Sequence, residues 1–371
     1  MGTIFSHTAP QTLSPLFQPA IDGDAALLKT LIGRYIADYV NSEPMTSKYD
    51  PKLQSYVNSS GDVQGNNAVI AATFGGYLDI VEFLVNKCGA DITIKNNMGC
   101  SPIWIAAGYS KVSILEFFIN HITMKEGETK AENLVEILSE TNNTGDSPFL
   151  AAASKGHLDV CQMLFQAILN QHTRENDVID YQPCWKLLTH KNKAGDTPLS
   201  VVVGNGLEGE GSLLCYLLDK EEDCLSNLEL RGEEVIERPL NAKNSKGLTP
   251  LMVACERNNV LMVKELIKRG AIITYDSNGR SPLAIASFCG CLDVAQHLLS
   301  LDDGISLLNK TDSNNCTPLW LAARTGNVKM VKLLMDSGAD DTITDSGGFS
   351  ARSIAEKFKK DRVVDYFTQS E

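Results

Sequence analysis

The chain holds 371 residues, with 33 Lys and Arg against 46 Asp and Glu and a net charge of −13. That surplus of carboxylates excludes a phosphate-neutralising binder of RNA or DNA. Single hydrophobic cores stop growing near ~250–300 residues, so a chain of this length calls for separate domains or for a core that grows by adding like units.

The chain opens on Met1-Gly2-Thr3-Ile4-Phe5-Ser6. Removal of Met1 would expose Gly2 with Ser6 four residues on, the pattern of N-myristoylation. One acyl chain binds membranes marginally, and no neighbouring Cys or polybasic run supplies a second signal, so Gly2 marks a lipidation candidate for weak, reversible membrane association. Residues 1–15 otherwise read as a flexible tail. Residues 16–40, with Gly23 ahead of Ala25, Leu27, Leu28 and Leu31, read as a terminal cap whose charged residues face water. A polar stretch from about 41 to 62 follows.

The organising pattern is clearest at Thr317-Pro318-Leu319, where Thr317 can cap a helix, Pro318 suits its first turn, and Leu319, Ala322 and Ala323 form an apolar face. Gly326-Asn327 turns the chain into a second helix carrying Val328, Val331, Leu333 and Leu334 at helical spacing, ended by Gly338. The Pro recurs at 102, 148, 198, 250 and 282, each time behind Ser or Thr and three residues after Gly99, Gly145, Gly195, Gly247 or Gly279. Asn315 stands where the other copies have Gly, as the next best residue at positive φ. An earlier copy with Ala71-Ala72 and Ile80-Val81 is degenerate: Asn67 and Ala68 replace the Pro-Leu pair, so its first helix is expected to be the least firmly capped.

These motifs resemble the ankyrin repeat. The resemblance implies an all-α fold with short β-hairpins, an ankyrin-repeat solenoid of stacked helix-turn-helix modules. It would run as one array over 16–371, with a cap at 16–40, repeats starting near 64, 96, 142, 192, 244, 276 and 312, and a C-terminal cap at 345–367. Spacings between successive Pro anchors are 46, 50, 52, 32 and 36 against about 33 for the family. Three repeats therefore carry insertions, near 120–135, 168–184 and 219–238. The residue seven before each Gly anchor stays apolar, Ile272 included, which keeps the fingers in register. The third insertion, with Asp219, Glu221, Glu222 and Asp223, reads as a solvated acidic flap. The family's His after Thr-Pro-Leu is replaced throughout, by Trp104 and Trp320 among others, so its hydrogen bonds between repeats are in doubt and the Trp rings are expected to add apolar contact instead.

Little in the sequence supports chemistry. Gly204-Asn205-Gly206 with Gly209 fits a dinucleotide fingerprint, yet Thr197-Pro198-Leu199 puts the preceding valines on a helix, and Glu208 and Glu210 would repel a pyrophosphate. A nucleotide-dependent enzyme built there is thus the weakest alternative. His157 and Cys161 stand four apart, and Cys289 and Cys291 two apart, but neither pair completes a four-ligand zinc set, so no metal or cofactor is expected. His157 falls on the family's Gly-His position, a structural place. The ten Cys lie mostly in helical patterns, and no signal peptide or membrane-spanning apolar run is present, which points to a reducing cytosol.

What remains is a non-enzymatic scaffold or adaptor for one or more proteins. The resemblance implies that hairpin tips and the outward ends of first helices bind the partner. Partner-binding candidates there are Phe74, Tyr109, Lys155, Glu256, Arg257, Phe288 and Arg324, with Phe74 and Tyr109 expected at equivalent places one repeat apart. A peripheral membrane regulator anchored through Gly2 is the alternative.

Overall fold

A computed structural model of the chain describes residues 14–40, 51–125, 134–171, 179–206, 211–228, 237–301 and 304–369. Gly2, Gly209 and all of the tail but Ser14 and Pro15 lie outside them; Ser14 is buried, its N–H on the Ser60 carbonyl at 3.0 Å. Two compact units divide the chain, residues 1–180 and 181–371.

The first unit holds α1 (Phe17–Asp22), α2 (Ala25–Val40), α3 (Pro51–Asn58), α4 (Ala68–Gly75), α5 (Leu78–Cys88), α6 (Pro102–Gly108), α7 (Val112–Lys125), α8 (Leu134–Ser139), α9 (Pro148–Ser154) and α10 (Leu158–Gln171). α1, α4, α6 and α9 stack in that order as first helices, while α5, α7 and α10 stack behind them. The N-terminal cap is therefore a complete helix pair. Ala71-Ala72, Ala106-Ala107 and Ala152-Ala153 are buried between the first helices, where small side chains let the backbones approach.

The second unit holds α11 (Gln182–Thr189), α12 (Pro198–Asn205), α13 (Gly211–Leu228), α14 (Pro250–Glu256), α15 (Val260–Lys268), α16 (Pro282–Cys289), α17 (Leu292–Leu299), α18 (Pro318–Thr325), α19 (Val328–Asp336), α20 (Ala351–Lys357) and α21 (Asp361–Gln369), with short 3-10 turns at Pro239–Asn241 and Gly304–Leu307. First helices α12, α14, α16, α18 and α20 stack on one another, as do α15, α17, α19 and α21. Leu319, at no exposure, sits between layers.

Every first helix after α1 has the same start. Ser101, Ser147, Thr197, Thr249, Ser281, Thr317 and Ser350 accept the N–H three residues on, the bond that satisfies an otherwise orphaned helix donor. Asn67 does the same for Ile70 at 2.9 Å. The expectation of a weakly capped first repeat is thus corrected: Asn67 aligns with the capping Ser or Thr, and Ala68 with the Pro.

The fingers ahead of these caps are turns rather than hairpins of strands. In each, an Asn or Asp five residues before the cap accepts two backbone N–H groups, as Asn96 does from Met98 at 3.0 Å and Cys100 at 2.9 Å. Asp62, Asn142, Asn192, Asn244, Asp276, Asp312 and Asp345 repeat the arrangement. Neighbouring tips share one backbone bond, such as Asn143 N–H to Met98 O at 2.9 Å and Ser313 N–H to Asn278 O at 2.9 Å. One bond per tip builds no ladder, so among the described residues no strand forms beyond a lone bridge at Ile179. Gly99 is required twice over, at φ +77° and with an added Cβ 2.8 Å from the Asn143 amide. Asn315 takes the same left-handed turn at φ 61°.

The insertions lengthen second helices and then add a short element before the next finger: α8 after α7, α11 after α10, and the Pro239–Asn241 turn after α13. A fourth lies in the polar stretch at 41–62, which contains α3 with Leu53 and Val57 buried. The acidic insertion departs from the solvated flap expected of it. Leu217, Leu218, Glu221, Cys224 and Leu228 are buried along α13. Glu221 Oε1 meets Arg238 Nε at 2.8 Å, and Arg269, just past the end of α15, gathers Asp219 at 2.7 Å, Glu222 at 3.2 Å and Glu265 at 3.0 Å. An apolar stripe with matched cations docks this stretch; residues 229–236 lie outside the described ones. Ile272 is a second correction. Gly270 to Gly279 is one residue shorter than Gly89 to Gly99, so Ile272 takes the place of Asp91. Its N–H bonds Asn241 Oδ1 at 2.8 Å as that of Asp91 bonds Asn58 Oδ1 at 3.0 Å, which leaves its side chain exposed.

Candidate functional site

From each cap the chain counts nine residues to a left-handed turn residue: Gly76, Ser110, Gly156, Gly206, Asn258, Gly290, Gly326 and Lys359. The residue just before it is exposed in every copy, and in all but the Ser110 copy the one before that leaves the core as well. Phe74 and Tyr109 come out there, 43% and 46% exposed, with ring centroids 4.4 Å apart and planes tilted by 48°. The aromatic pair expected from the sequence exists, but not at equivalent places. Phe74 is seven residues from its cap Asn67, Tyr109 eight from its cap Ser101, and Thr73 beside Phe74 is fully buried. The rings meet because side chains of adjacent stacked helices lean across a one-residue offset.

Trp104 is half-buried, its ring over Gly108, where an added Cβ would sit 3.4 Å from Cζ3. Its indole N–H donates to the Asp146 carbonyl at 2.9 Å, and that of Trp320 to the Phe349 carbonyl at 3.1 Å. Asp146 and Phe349 each precede the next cap, so each Trp bonds across the repeat boundary where the absent His had put such bonds in doubt. The sequence signal was available, since an indole N–H needs a partner when buried. The residue after the left-handed turn reaches back to the previous repeat in the same way: His157 Nε2 lies 3.2 Å from Gly108 O, and Asn327 Nδ2 donates to Gly290 O at 3.5 Å. His157 is occupied by this contact, and Cys161 below it is fully buried with its thiol pushed well up by burial.

Lys155, Glu256, Arg257, Phe288 and Arg324 are exposed at the ends of their first helices. Arg324 is held rather than loose, its guanidinium carbon 5.6 Å from the Trp320 ring and 5.3 Å from the Phe358 ring. The structure joins Phe74 with Tyr109 in the first unit and Arg324 with Trp320 and Phe358 in the second.

Among the described residues, burial pushes the thiols of Cys88 and Cys100 up to about 11 and those of Cys224 and Cys316 up to about 12, far from nucleophilic thiolates. Val202 and Val203 lie buried in α12 with Gly206 at its left-handed end, so no strand enters Gly204. Among the described residues no group of three His, Cys, Asp or Glu could hold a metal ion, and no helix is long and apolar enough to cross a membrane.

Stacked helix pairs with turned fingers define a helical repeat protein, with an aromatic pair exposed at the ends of two first helices. The family model described as ankyrin repeats in three copies matches residues 68–177 and 208–308, more than half of the chain, and a single ankyrin repeat matches 314–346. The chain belongs to the ankyrin-repeat family, whose repeats serve in protein interaction. It is similar to the ankyrin repeat and KH domain-containing protein mask-1 of Caenorhabditis elegans, 26% identical over 74% of this chain and 10% of that protein. It is 33% identical to the palmitoyltransferase AKR1 of Lachancea kluyveri over 34% of this chain and 18% of that protein. It is 24% identical to the human transient receptor potential cation channel subfamily A member 1 over 80% of this chain and 32% of that protein. The chain spans a third or less of each of these relatives.

Proposed function

We propose that the chain is a non-enzymatic scaffold or adaptor of the cytosol that binds a protein partner through the ends of its first helices, with the Phe74–Tyr109 pair as anchor. The observation that carries this is the pair itself. Two large aromatic side chains in mutual contact, both more than 40% exposed, leave apolar area in water that their fold does not need, and aromatic residues of this kind dominate interface energies. Lys155 lies on the same face of the first unit, and Glu256, Arg257, Phe288 and Arg324 are the corresponding contacts of the second. Affinity capture from the native cell with the intact chain and with Phe74→Ala/Tyr109→Ala tests it. A partner that binds the intact chain and escapes the folded double variant supports the assignment, and equal capture of every partner by both moves recognition elsewhere.

A second reading rests on Met1-Gly2 and Ser6: acylation of Gly2 would add weak, reversible membrane attachment to the same scaffold. Intact mass of the native N-terminus, with fractionation of Gly2→Ala, decides it.

A further inference from the structure

The turn ends of the last repeats in the second unit line a cleft of about 470 Å³ between Phe288 and Cys289 at the end of α16, Thr325 and Gly326 at the end of α18, and Lys329 and Arg362 in the first turns of α19 and α21. Its lining holds two cations and no carboxylate. Gly326 is packed so tightly beneath the next turn that an added Cβ would lie 2.8 Å from Lys360 Cδ, which brings a third cation to the rim. Among the described residues Arg324, Lys329, Lys357, Lys359, Lys360 and Arg362 form no ion pair, whereas Arg238, Arg269, Arg280 and Arg352 each hold a carboxylate. In a chain of net charge −13, these cations gather at one end of one unit without ion pairs of their own, although Glu256 is close enough to Cys289 to act on its thiol. Phe288, 40% exposed, adds an apolar wall.

We propose that this cleft seats an acidic peptide segment of a protein partner, its carboxylates on Lys329 and Arg362 and an apolar side chain on Phe288. The proposal rests on the reading of Phe288 as a partner contact of the second unit and does not use the Phe74–Tyr109 pair, which lies in the other unit. Charge complementarity selects the occupant: the carboxylate-rich remainder of the chain repels extended polyanions such as nucleic acid, while a short segment meets only the local field. A Phe-type wall favours a peptide over a free inorganic anion, because burial of apolar area adds to the ionic contact.

The experiment titrates the full chain into a fluorescein-labelled peptide of alternating Glu and Phe and follows anisotropy. Binding saturates near ~50 mM salt and weakens as salt rises to ~300 mM, where the screening length falls to several ångströms. Lys329→Glu/Arg362→Glu weakens binding by at least about tenfold, and Phe288→Ala by about tenfold. The charge-matched control Lys87→Glu/Lys186→Glu, at exposed sites outside the cleft, leaves it unchanged. Should the reversed variant melt early, Lys329→Gln/Arg362→Gln must show the loss in the folded state. Equal binding of a Lys-Phe peptide, equal loss in the control, or no saturable binding overturns the proposal. So does cleft-dependent binding to vesicles of anionic lipid in the absence of peptide binding, which would make the cleft a lipid contact.

Discussion

The Trp104 indole N–H donates to the Asp146 carbonyl at 2.9 Å and ties one repeat to the finger of the next; Trp320 repeats the bond on Phe349 at 3.1 Å. Replacing either ring by Phe keeps most of the apolar contact and removes one bond between repeats, while the Asp146 and Phe349 carbonyls keep the N–H groups of Asn142 and Asp345. Trp104→Phe and Trp320→Phe are each expected to cost ~1 kcal/mol, read as a lower denaturant midpoint at unchanged m-value. A loss several times larger would mean that ring volume, not the bond, joins the repeats.

The Phe74–Tyr109 pair separates binding from folding. The double Ala variant is expected to lose ~1 kcal/mol of stability, the scale of one aromatic contact, and about 2 kcal/mol of partner affinity. Leu319→Ala, at a fully buried site, is the opposite control and should cost roughly 2–5 kcal/mol through the cavity it opens. Circular dichroism melts and one binding isotherm decide both halves. Unfolding of the double Ala variant would place the two rings in the core.

Arg238 faces Glu221, a carboxyl that is 1% exposed. Burial raises the Glu221 carboxyl above the ordinary range, and Arg238 pulls it partly back. A raised folded-state pKa stabilises the fold below the ordinary Glu range, and that contribution is lost as pH rises through the raised value. Arg238→Ala strands the charge, so it is expected to cost about 3 kcal/mol near neutral pH and less at mildly acid pH, where Glu221 takes up a proton. Parallel urea melts across that range check the sign, and a loss independent of pH would remove Glu221 from the explanation.

Ser110 at φ 51° and Lys359 at φ 55° occupy the left-handed turn that Gly fills at Gly76, Gly156, Gly290 and Gly326. L-residues pay roughly 1–2 kcal/mol there and Gly returns part of the gain as chain entropy, so Ser110→Gly and Lys359→Gly are expected to stabilise by ~0.5–1 kcal/mol. A rise in melting temperature of a few degrees confirms this. A fall would show that the Ser or Lys side chain contributes more than its backbone costs.

The sequence by itself determined the repeat. Ser or Thr ahead of Pro, small residues beneath them and a left-handed position nine residues on are local requirements of capping, close approach and turning, and each is met by residue type alone. The Asn or Asp five residues before each cap was equally legible and would have placed Asn67 correctly, because a side chain accepting two neighbouring amides is also a local device. Only the tertiary structure decided what depends on contacts between repeats. Trp104 found Asp146 across 42 residues, and Phe74 met Tyr109 despite unequal places in their repeats. A one-residue shorter loop turned Ile272 outward, and Arg238 and Arg269 drew an acidic stretch onto the core. The physical reason is that pattern and propensity specify a residue's face within its own helix, whereas its partner on the next layer is set by how loop lengths and stacked backbones align, which no single segment encodes.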